Sequence, residues 1–368
     1  MNFNYDLRWE RLIKAAGEIG LEAILVSDPA DSFYLTGAPE PMYPSGRTML
    51  LINTDEKKGY MILPLLEVER MEDEIKIKNV DIIGYTPYEK GIDKLLNMLK
   101  DMGVKRLGVE EEHISDKMVS DIADKCKVEV KAAGFILKEM RAVKDDAEVK
   151  AIKRAIEITS KAITTVVEDI KEGSTEAEIA AELARRIFQE GARLAFDIIV
   201  ASGPRGAYPH GIYSCKKVRK GEAVVVDVGA RINGYCADTT RMILMGKVEE
   251  EIRDHISYVE EAIDEAIKSI RDGVRGREVD EVAREVLRKR GIAQYFTHSL
   301  GHGVGIEVHE GPTLGPTSED VLKEGMITTI EPGIYIKGRY GIRIEEMVLV
   351  TKRGCEVLTR GLSRVFDL

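Results

Sequence analysis

Two stretches of this chain, one hundred residues apart, align without a gap. Ile170–Gly191 (IKEGSTEAEIAAELARRIFQEG) and Ile270–Gly291 (IRDGVRGREVDEVAREVLRKRG) share glycines at 173/273 and 191/291 and a glutamate at 178/278. Each stretch completes a long amphipathic helix. Val149, Ile152, Ile156, Ile163, Val167 and Ile170 keep a three-to-four spacing that predicts a helix over 146–171; Ile252, Ile256, Val259, Ile263, Ile267 and Ile270 do the same over 249–271. Gly173 and Gly273 end them. Second helices are expected over 175–190, where STEAE reads as a capping segment, and over 277–290. A histidine follows each pair at nearly the same distance, His210 and His309. Chance similarity between two amphipathic pairs competes here with a duplicated helix–helix–strand unit. Duplication predicts two halves that enclose a site at their pseudo-symmetry axis.

Ahead of this repeat, residues 1–130 alternate between strand-length apolar runs and helical spacing. Strands are expected at Ala23–Ser27, Met49–Ile52, Tyr60–Leu63, Val80–Tyr85 and around Leu107–Val109. Helices are expected at Gly91–Met102 and His113–Lys125. This is an α/β domain with a mixed sheet, in which Trp9, Tyr34 and Tyr43 pack rather than react. The charged stretch Lys138–Glu148 marks the boundary, giving domains over 1–135 and 140–368. A net charge of −10 gives no reason to expect nucleic acid as a partner. No apolar run approaches the ~20 residues of a membrane span, and the charged N-terminus is unlike a signal peptide. A cytoplasmic protein is expected. Cys126, Cys215, Cys236 and Cys355 lie far apart with no CxxC pair, so they read as ordinary residues of a reducing compartment.

The chemistry concentrates in the last third. Asp227 (VVVDVGA), Asp238 (GYCADTTR), His302 (HSLGHGVG), Glu331 (TTIEPGIY) and Glu345 (GIRIEEMV) sit in glycine- or β-rich sequence. Four carboxylates and one imidazole form a hard, anionic set suited to divalent first-row ions. Their charge balances two dications, which points to metal-assisted hydrolysis. Val224, Val226 and Val228 share one strand face, while Val225 and Asp227 share the other. Asn233–Gly234 is a strong hairpin signal, so Asp227 and Asp238 are expected to face each other across paired strands. A lone strand aspartate is often merely capped or salt-bridged. Two on one hairpin in apolar sequence argue otherwise, because unpaired buried carboxylates are costly. Glu331 and Glu345 repeat the pattern around a turn near Lys337–Tyr340, and Glu346 should point to the opposite face. GHGVG resembles a dinucleotide loop only superficially: Ile306–His309 should continue as strand rather than open a helix. His113 and His255, in charged helical contexts, read as surface residues. His210, His298, His302 and His309 lie in glycine- or proline-rich or β segments; four exceed a single metal's needs, so some of them are left for substrate.

SGPRGAYPHG, VVVDVG with YCADTTR, HSLGHGVGIEVHE, EPGIYI and GIRIEE, in that order, resemble the Xaa-Pro peptidases of the creatinase, aminopeptidase P and prolidase family. The resemblance covers about 146–368; DSFYLTG is typical of the family's creatinase-type N-terminal domain. It implies an α+β protein, with a pita-bread catalytic domain of pseudo-twofold helix-pair/β repeats behind a smaller α/β domain. It further implies hydrolysis of the bond preceding proline by two divalent ions, manganese or cobalt ahead of zinc or iron, in a homodimer acting on Xaa-Pro dipeptides or short peptides. Asp227 would chelate one ion, Asp238 and Glu345 would bridge both, and His302 with Glu331 would hold the other. Glu331 would also carry a proton towards the leaving nitrogen. His210 and His309 would bind substrate and stabilise the oxyanion, His298 would line the proline pocket, and Arg343 would support the carboxylates. Creatinase and the family's non-enzymatic members lack these ligands, and methionine aminopeptidases usually lack the first domain. Dipeptidase members commonly place an arginine ahead of the EPG motif, but Glu310–Ile330 contains only Lys323. Arg47 or Arg205 could substitute. An Xaa-Pro dipeptidase is the leading expectation. The alternatives are an Xaa-Pro aminopeptidase acting on longer peptides, a hydrolase of another small amide and a metal-free binding protein.

Overall fold

A computed structural model describes residues 3–38 and 48–368, so the expectations for Tyr43 and Arg47 fall outside the described residues. The chain divides into two units, 2–141 and 142–368.

In the first unit the apolar runs become β1 (Ala23–Val26), β2 (Met49–Asn53), β3 (Lys58–Pro64), β4 (Val80–Tyr85) and β5 (Arg106–Val109), joined by β6 (Glu129–Ala132). The sheet order is β4-β3-β2-β1-β5-β6. It is mixed: β1–β2 and β2–β3 are antiparallel, whereas β3–β4, β1–β5 and β5–β6 are parallel. The two expected helices are α4 (Gly91–Asp101) and α5 (Asp116–Cys126); α1 (Tyr5–Glu18), α2 (Pro29–Thr36), α3 (Val68–Glu74) and α6 (Gly134–Ala142) join them. Leu25, Leu51, Ile62, Leu95, Leu107 and Ile122 form the core. Trp9 and Tyr34 are buried packing residues, with Trp9 Nε1 donating to the Leu35 carbonyl at 2.8 Å. An acidic cluster lies past the ends of β1 and β5. Glu110 accepts the backbone N–H groups of Ser27 and Asp28, while Arg141 pairs with Asp31 at 2.9 Å.

In the second unit the two long helices are α7 (Asp146–Asp169) and α9 (Glu250–Ser269), each followed by a shorter one, α8 (Glu176–Gln189) and α10 (Gly276–Lys289). Thr175 and Glu178 cap α8 reciprocally, as the sequence suggested. The duplication is written into the backbone. Gly173 N–H donates to the Val218 carbonyl and Gly273 N–H to that of Leu322; Glu176 N–H donates to Lys216 and Gly276 N–H to Asp320. Gly173 and Gly273 adopt φ of 91° and 84°, a left-handed conformation that glycine tolerates best. Chance does not place equivalent hydrogen bonds at equivalent positions of two helix pairs.

The strands of the first half are β7 (Arg193–Leu194), β8 (Ile199–Ser202), β9 (Ala223–Asp227), β10 (Ala230–Ile232), β11 (Tyr235–Cys236) and β12 (Thr240–Leu244). Those of the second are β13 (Gly301–Gly303), β14 (Glu310–Leu314), β15 (Ile327–Ile330), β16 (Gly333–Ile336), β17 (Tyr340–Arg343), β18 (Glu346–Thr351), β19 (Gly354–Val357) and β20 (Val365–Asp367). They form sheets β11-β10-β7, β20-β12-β9-β8, β14-β13-β15-β18-β19 and β16-β17. Val224, Val226 and Val228 join the apolar core under α7 and α8, and Val225 the core under α9 and α10. The alternation read from AVVVDV therefore divides one strand between the two halves. His255 departs from expectation: it is buried on α9, its Nδ1 3.0 Å from the Tyr340 hydroxyl. His113 lies in the turn ahead of α5, with Nε2 3.6 Å from Asp28. Among the described residues no helix is long and apolar enough to cross a membrane, and no disulfide is formed.

Candidate metal centre and active site

Two hairpins supply the carboxylates. In the first, Ile232 pairs with Tyr235, leaving Asn233 and Gly234 as a two-residue turn with φ of 53° and 83°. Positive φ at both positions is what a type I′ turn needs, and Asn-Gly provides it. The register places Asp227 opposite Thr240, not opposite Asp238 as expected. Asp238 lies in the interruption between β11 and β12, across from Gly229. A Cβ on Gly229 would sit 1.9 Å from the Ala237 carbonyl oxygen, so glycine lets the strands close there. In the second hairpin the register is the same on both sides of the break, Ile330 opposite Glu346 and Gly333 opposite Arg343. Glu331 and Glu345 are therefore a facing pair. Glu346 points away, pairing with Arg241 at 3.3 Å and Arg364 at 2.8 Å.

His302 projects from β13 towards these groups. Its Nδ1 lies 3.1 Å from the Gly303 carbonyl, which as donor leaves Nε2 free to act as a ligand. Nε2 is 3.2 Å from Glu331 and 3.6 Å from Asp238. Thr329 braces both sides, accepting His302 N–H at 3.0 Å and donating to Glu331 at 3.3 Å. Beyond Gly303 the chain bends through Ile306–His309 rather than continuing as strand. No helix opens there, so a dinucleotide loop stays excluded.

Burial and crowding set the electrostatics. Burial, then the neighbouring Asp227 charge, pushes the Asp238 carboxyl well above its ordinary range; burial and Asp238 do the same to Glu345. Burial opposes charge on His302, yet the Glu331 carboxylate raises its imidazole to about 9. Burial raises Glu331 too, but contact with His302 prevails and holds it low. Asp227 Oδ1 and Glu345 Oε1 are buried without a hydrogen-bond partner. Such groups are costly unless something cationic satisfies them. Ligand atoms of Asp227, Asp238 and Glu345 lie within 4.8 Å of one another, as do those of Asp238, His302 and His309. This donor set fits hard divalent cations. His309 is exposed, its ring 4.3 Å from that of His302, whereas Glu331 is half-buried against His302 and carries the charge a dication needs. Glu331 is thus the better ligand of the two.

A cavity of about 520 Å³ opens above the carboxylates. His210, His298, His302, His309, Glu331, Asp227, Asp238 and Arg343 line it beside Phe196, Ile199 and Ile212. Glu345 lies beneath, 1% exposed. Arg343 is fully committed: Nη2 to Asp227 at 2.6 Å, Nη1 to the Tyr335 hydroxyl and Pro209 carbonyl at 3.0 Å, and Nε to Thr240 at 3.2 Å. Tyr335 also meets His298 Nε2 at 2.9 Å. Sequence reasoning missed Tyr335, although Glu331, Gly333 and Tyr335 share one strand face by alternation. Arg205, a candidate for the missing cation, instead pairs with Glu176 at 2.9 Å.

Residues 150–352 match metallopeptidase family M24, and residues 8–143 match the creatinase/prolidase N-terminal domain. A curated relative, the Xaa-Pro dipeptidase of Pyrococcus furiosus, is 38% identical over 355 residues, covering 96% of this chain and 97% of its own. Among solved structures, an X-Pro aminopeptidase from Thermotoga maritima superposes with a TM-score of 0.89 at 38% identity, covering 98% of this chain and 99% of that one. A prolidase from Thermococcus sibiricus gives 0.92 at 32% identity, with full coverage of both chains. With the duplicated fold and the carboxylate–histidine cluster in place, the chain belongs to metallopeptidase family M24, carrying the creatinase/prolidase N-terminal domain ahead of its pita-bread fold.

Proposed function

We propose that this chain is a dinuclear metal-dependent peptidase that cleaves the bond preceding proline, with Xaa-Pro dipeptides as its principal substrates. The observation that carries this reading is the convergence of three buried carboxylates, the half-buried Glu331 and His302 at the floor of a substrate-sized cavity, with two carboxylate oxygens left unpartnered. Asp227, Asp238, His302, Glu331 and Glu345 would hold two divalent ions, which when bound would activate water and polarise the scissile carbonyl. Manganese or cobalt suits this oxygen-rich set, ahead of zinc or iron. Residues 140–368 carry this chemistry and residues 1–135 form the accessory domain. Cysteines without a disulfide among the described residues suit a reducing cytoplasm. A homodimer extends the likeness to the family, and light scattering would test it.

The family resemblance suggests the remaining roles, and position supports them. Arg343 orients Asp227 and offsets its charge. His210 and His309, both exposed on the cavity wall, bind substrate and stabilise the developing oxyanion. Glu331 moves a proton towards the leaving nitrogen. A proline amide has no N–H and a fixed ring; His298, edge-on to Phe296 at 5.1 Å and tied to Tyr335, faces that ring. The test is hydrolysis of Leu-Pro against Leu-Ala after chelation and after re-addition of Mn²⁺ or Co²⁺. Metal-dependent cleavage of Leu-Pro alone is expected, and equal cleavage of both sinks the reading.

One observation favours a second reading, cleavage of longer Xaa-Pro peptides. Among the described residues lining the cavity, Arg343 is the only lysine or arginine, and each of its three nitrogens already donates to the protein.

A further inference from the structure

The loop that carries His210 is fastened at both ends by one buried carboxylate. Glu176, in the first turn of α8, is 0% exposed and accepts five hydrogen bonds. Ser202, where the loop leaves β8, donates its N–H and hydroxyl, both at 2.8 Å. Ser214, on the far side of His210, donates its N–H at 3.1 Å and hydroxyl at 2.6 Å. Arg205 donates Nε to Glu176 at 2.9 Å and reaches across the loop with Nη2 to the Ile212 carbonyl at 2.6 Å. The apex has little packing of its own: Tyr208 is 56% exposed, Ile212 55% and Tyr213 45%. Its position therefore rests on its polar base, on the Arg343 contact at Pro209, on turn hydrogen bonds such as Gly211 N–H to the Tyr208 carbonyl, and on the close approach of Gly206 to Gly341.

The second half uses the same device at a different helix position. Asp280 on α10, also 0% exposed, accepts Leu300 N–H at 3.0 Å and pairs with Arg284 at 2.6 Å. Arg284 in turn holds the Phe296 and His298 carbonyls at 3.0 and 2.6 Å. In each half, the second helix sends a buried carboxylate to the loop bearing a cavity histidine. We infer that Glu176 is a positioning residue for His210, setting where its imidazole stands relative to the carboxylate cluster. This rests on the reading of His210 as a substrate contact, since groups held by packed hydrogen-bonded partners keep the tolerance catalysis needs.

A double-mutant cycle on metal-loaded, full-length protein with Leu-Pro tests this. Glu176→Gln keeps the side chain's shape but loses acceptor capacity. It should lower kcat about tenfold or more at unchanged metal content; in a His210→Ala background the same change should cost less than about twofold, and in His309→Ala the full amount. Equal losses in all three backgrounds, or wild-type turnover in Glu176→Gln, overturn the inference. Should Glu176→Gln fail to fold, Ser214→Ala removes a single donor and is read in the same cycle, with about a threefold loss expected that vanishes without His210. Histidine-labelled NMR reads the same point without activity. The His210 signal should broaden or split in Glu176→Gln while His298 stays sharp, and an unchanged His210 signal overturns the inference. A wild-type protein inert towards Leu-Pro would instead sink the proposed function and leave the NMR result to decide.

Discussion

At the residue scale, Asp238 and Glu345 differ from His210 and His309 in what surrounds them. The two carboxylates are buried among like charges, so without metal they hold protons above their ordinary range. The histidines stand in solvent on the cavity wall. Removing one of the first pair should strip the site; removing one of the second should leave it loaded. Asp238→Asn is expected to lose metal and activity together. His302→Ala should weaken metal binding, while His210→Ala and His309→Ala keep their metal and lose roughly 10²-fold in turnover. Elemental analysis beside steady-state rates decides; full activity in His302→Ala would reverse the assignment. The raised carboxyls add a sign. Without metal they hold their protons more tightly than ordinary carboxyls and must ionise to bind it, so binding should release protons and tighten as pH rises. Calorimetry in buffers of different ionisation enthalpy would detect the release, and buffer-independent heats would contradict it.

At the element scale, the ends of β1 and β5 carry a separate acid–base feature. Burial, then the charge of Asp31, pushes Glu110 up to about 10. A folded value above the unfolded one gives stability that is complete at low pH and is lost as pH climbs towards that folded value. The protein should therefore lose up to ~1.4 kcal/mol per pH unit between about pH 5 and 10 from this group. Glu110→Gln should flatten the fall in melting temperature between pH 6 and 9, and parallel curves for the two proteins would refute the assignment. Elements differ in how much the sequence reveals. Strands β1 to β5 were legible because their apolar runs are short and bounded, whereas β6 (EVKA) lies on the sheet edge and carries charge instead of an apolar signature. The four carboxylates were legible because acidic residues in apolar β sequence demand a reason. Their pairing was only half legible: the two-residue Asn233–Gly234 turn sets Asp227 opposite Thr240 and Asp238 opposite Gly229, two positions apart along the hairpin rather than face to face. His255 looked like a surface residue because its partner, Tyr340, arrives from another hairpin. Arg205 looked free for substrate because nothing local reveals that Glu176 occupies it.

At the scale of the whole molecule, the repeat explains why one site needs more than two hundred residues. Each helix pair buries a sheet that it could not cover alone, and the strand breaks meet where the halves meet. On the proposed reading, the ligand set is a property of the fold and substrate length a property of the cavity rim. With Arg343 engaged, a dipeptide's carboxylate lacks a charge-assisted partner among the described residues, a loss of roughly 1.5–3 kcal/mol of recognition. Leu-Pro should be cleaved with an elevated KM, and Leu-Pro extended by one residue should also be cleaved. A kcat/KM at least tenfold higher for the extended peptide would replace the dipeptidase reading with an aminopeptidase one. The central claim is the two-ion centre, and the most direct measurement follows Leu-Pro hydrolysis while Mn²⁺ or Co²⁺ is titrated into metal-free protein, with bound metal counted per chain. The account predicts that activity climbs with occupancy and levels off at two ions per chain; maximal activity with one ion, or with none, would contradict it.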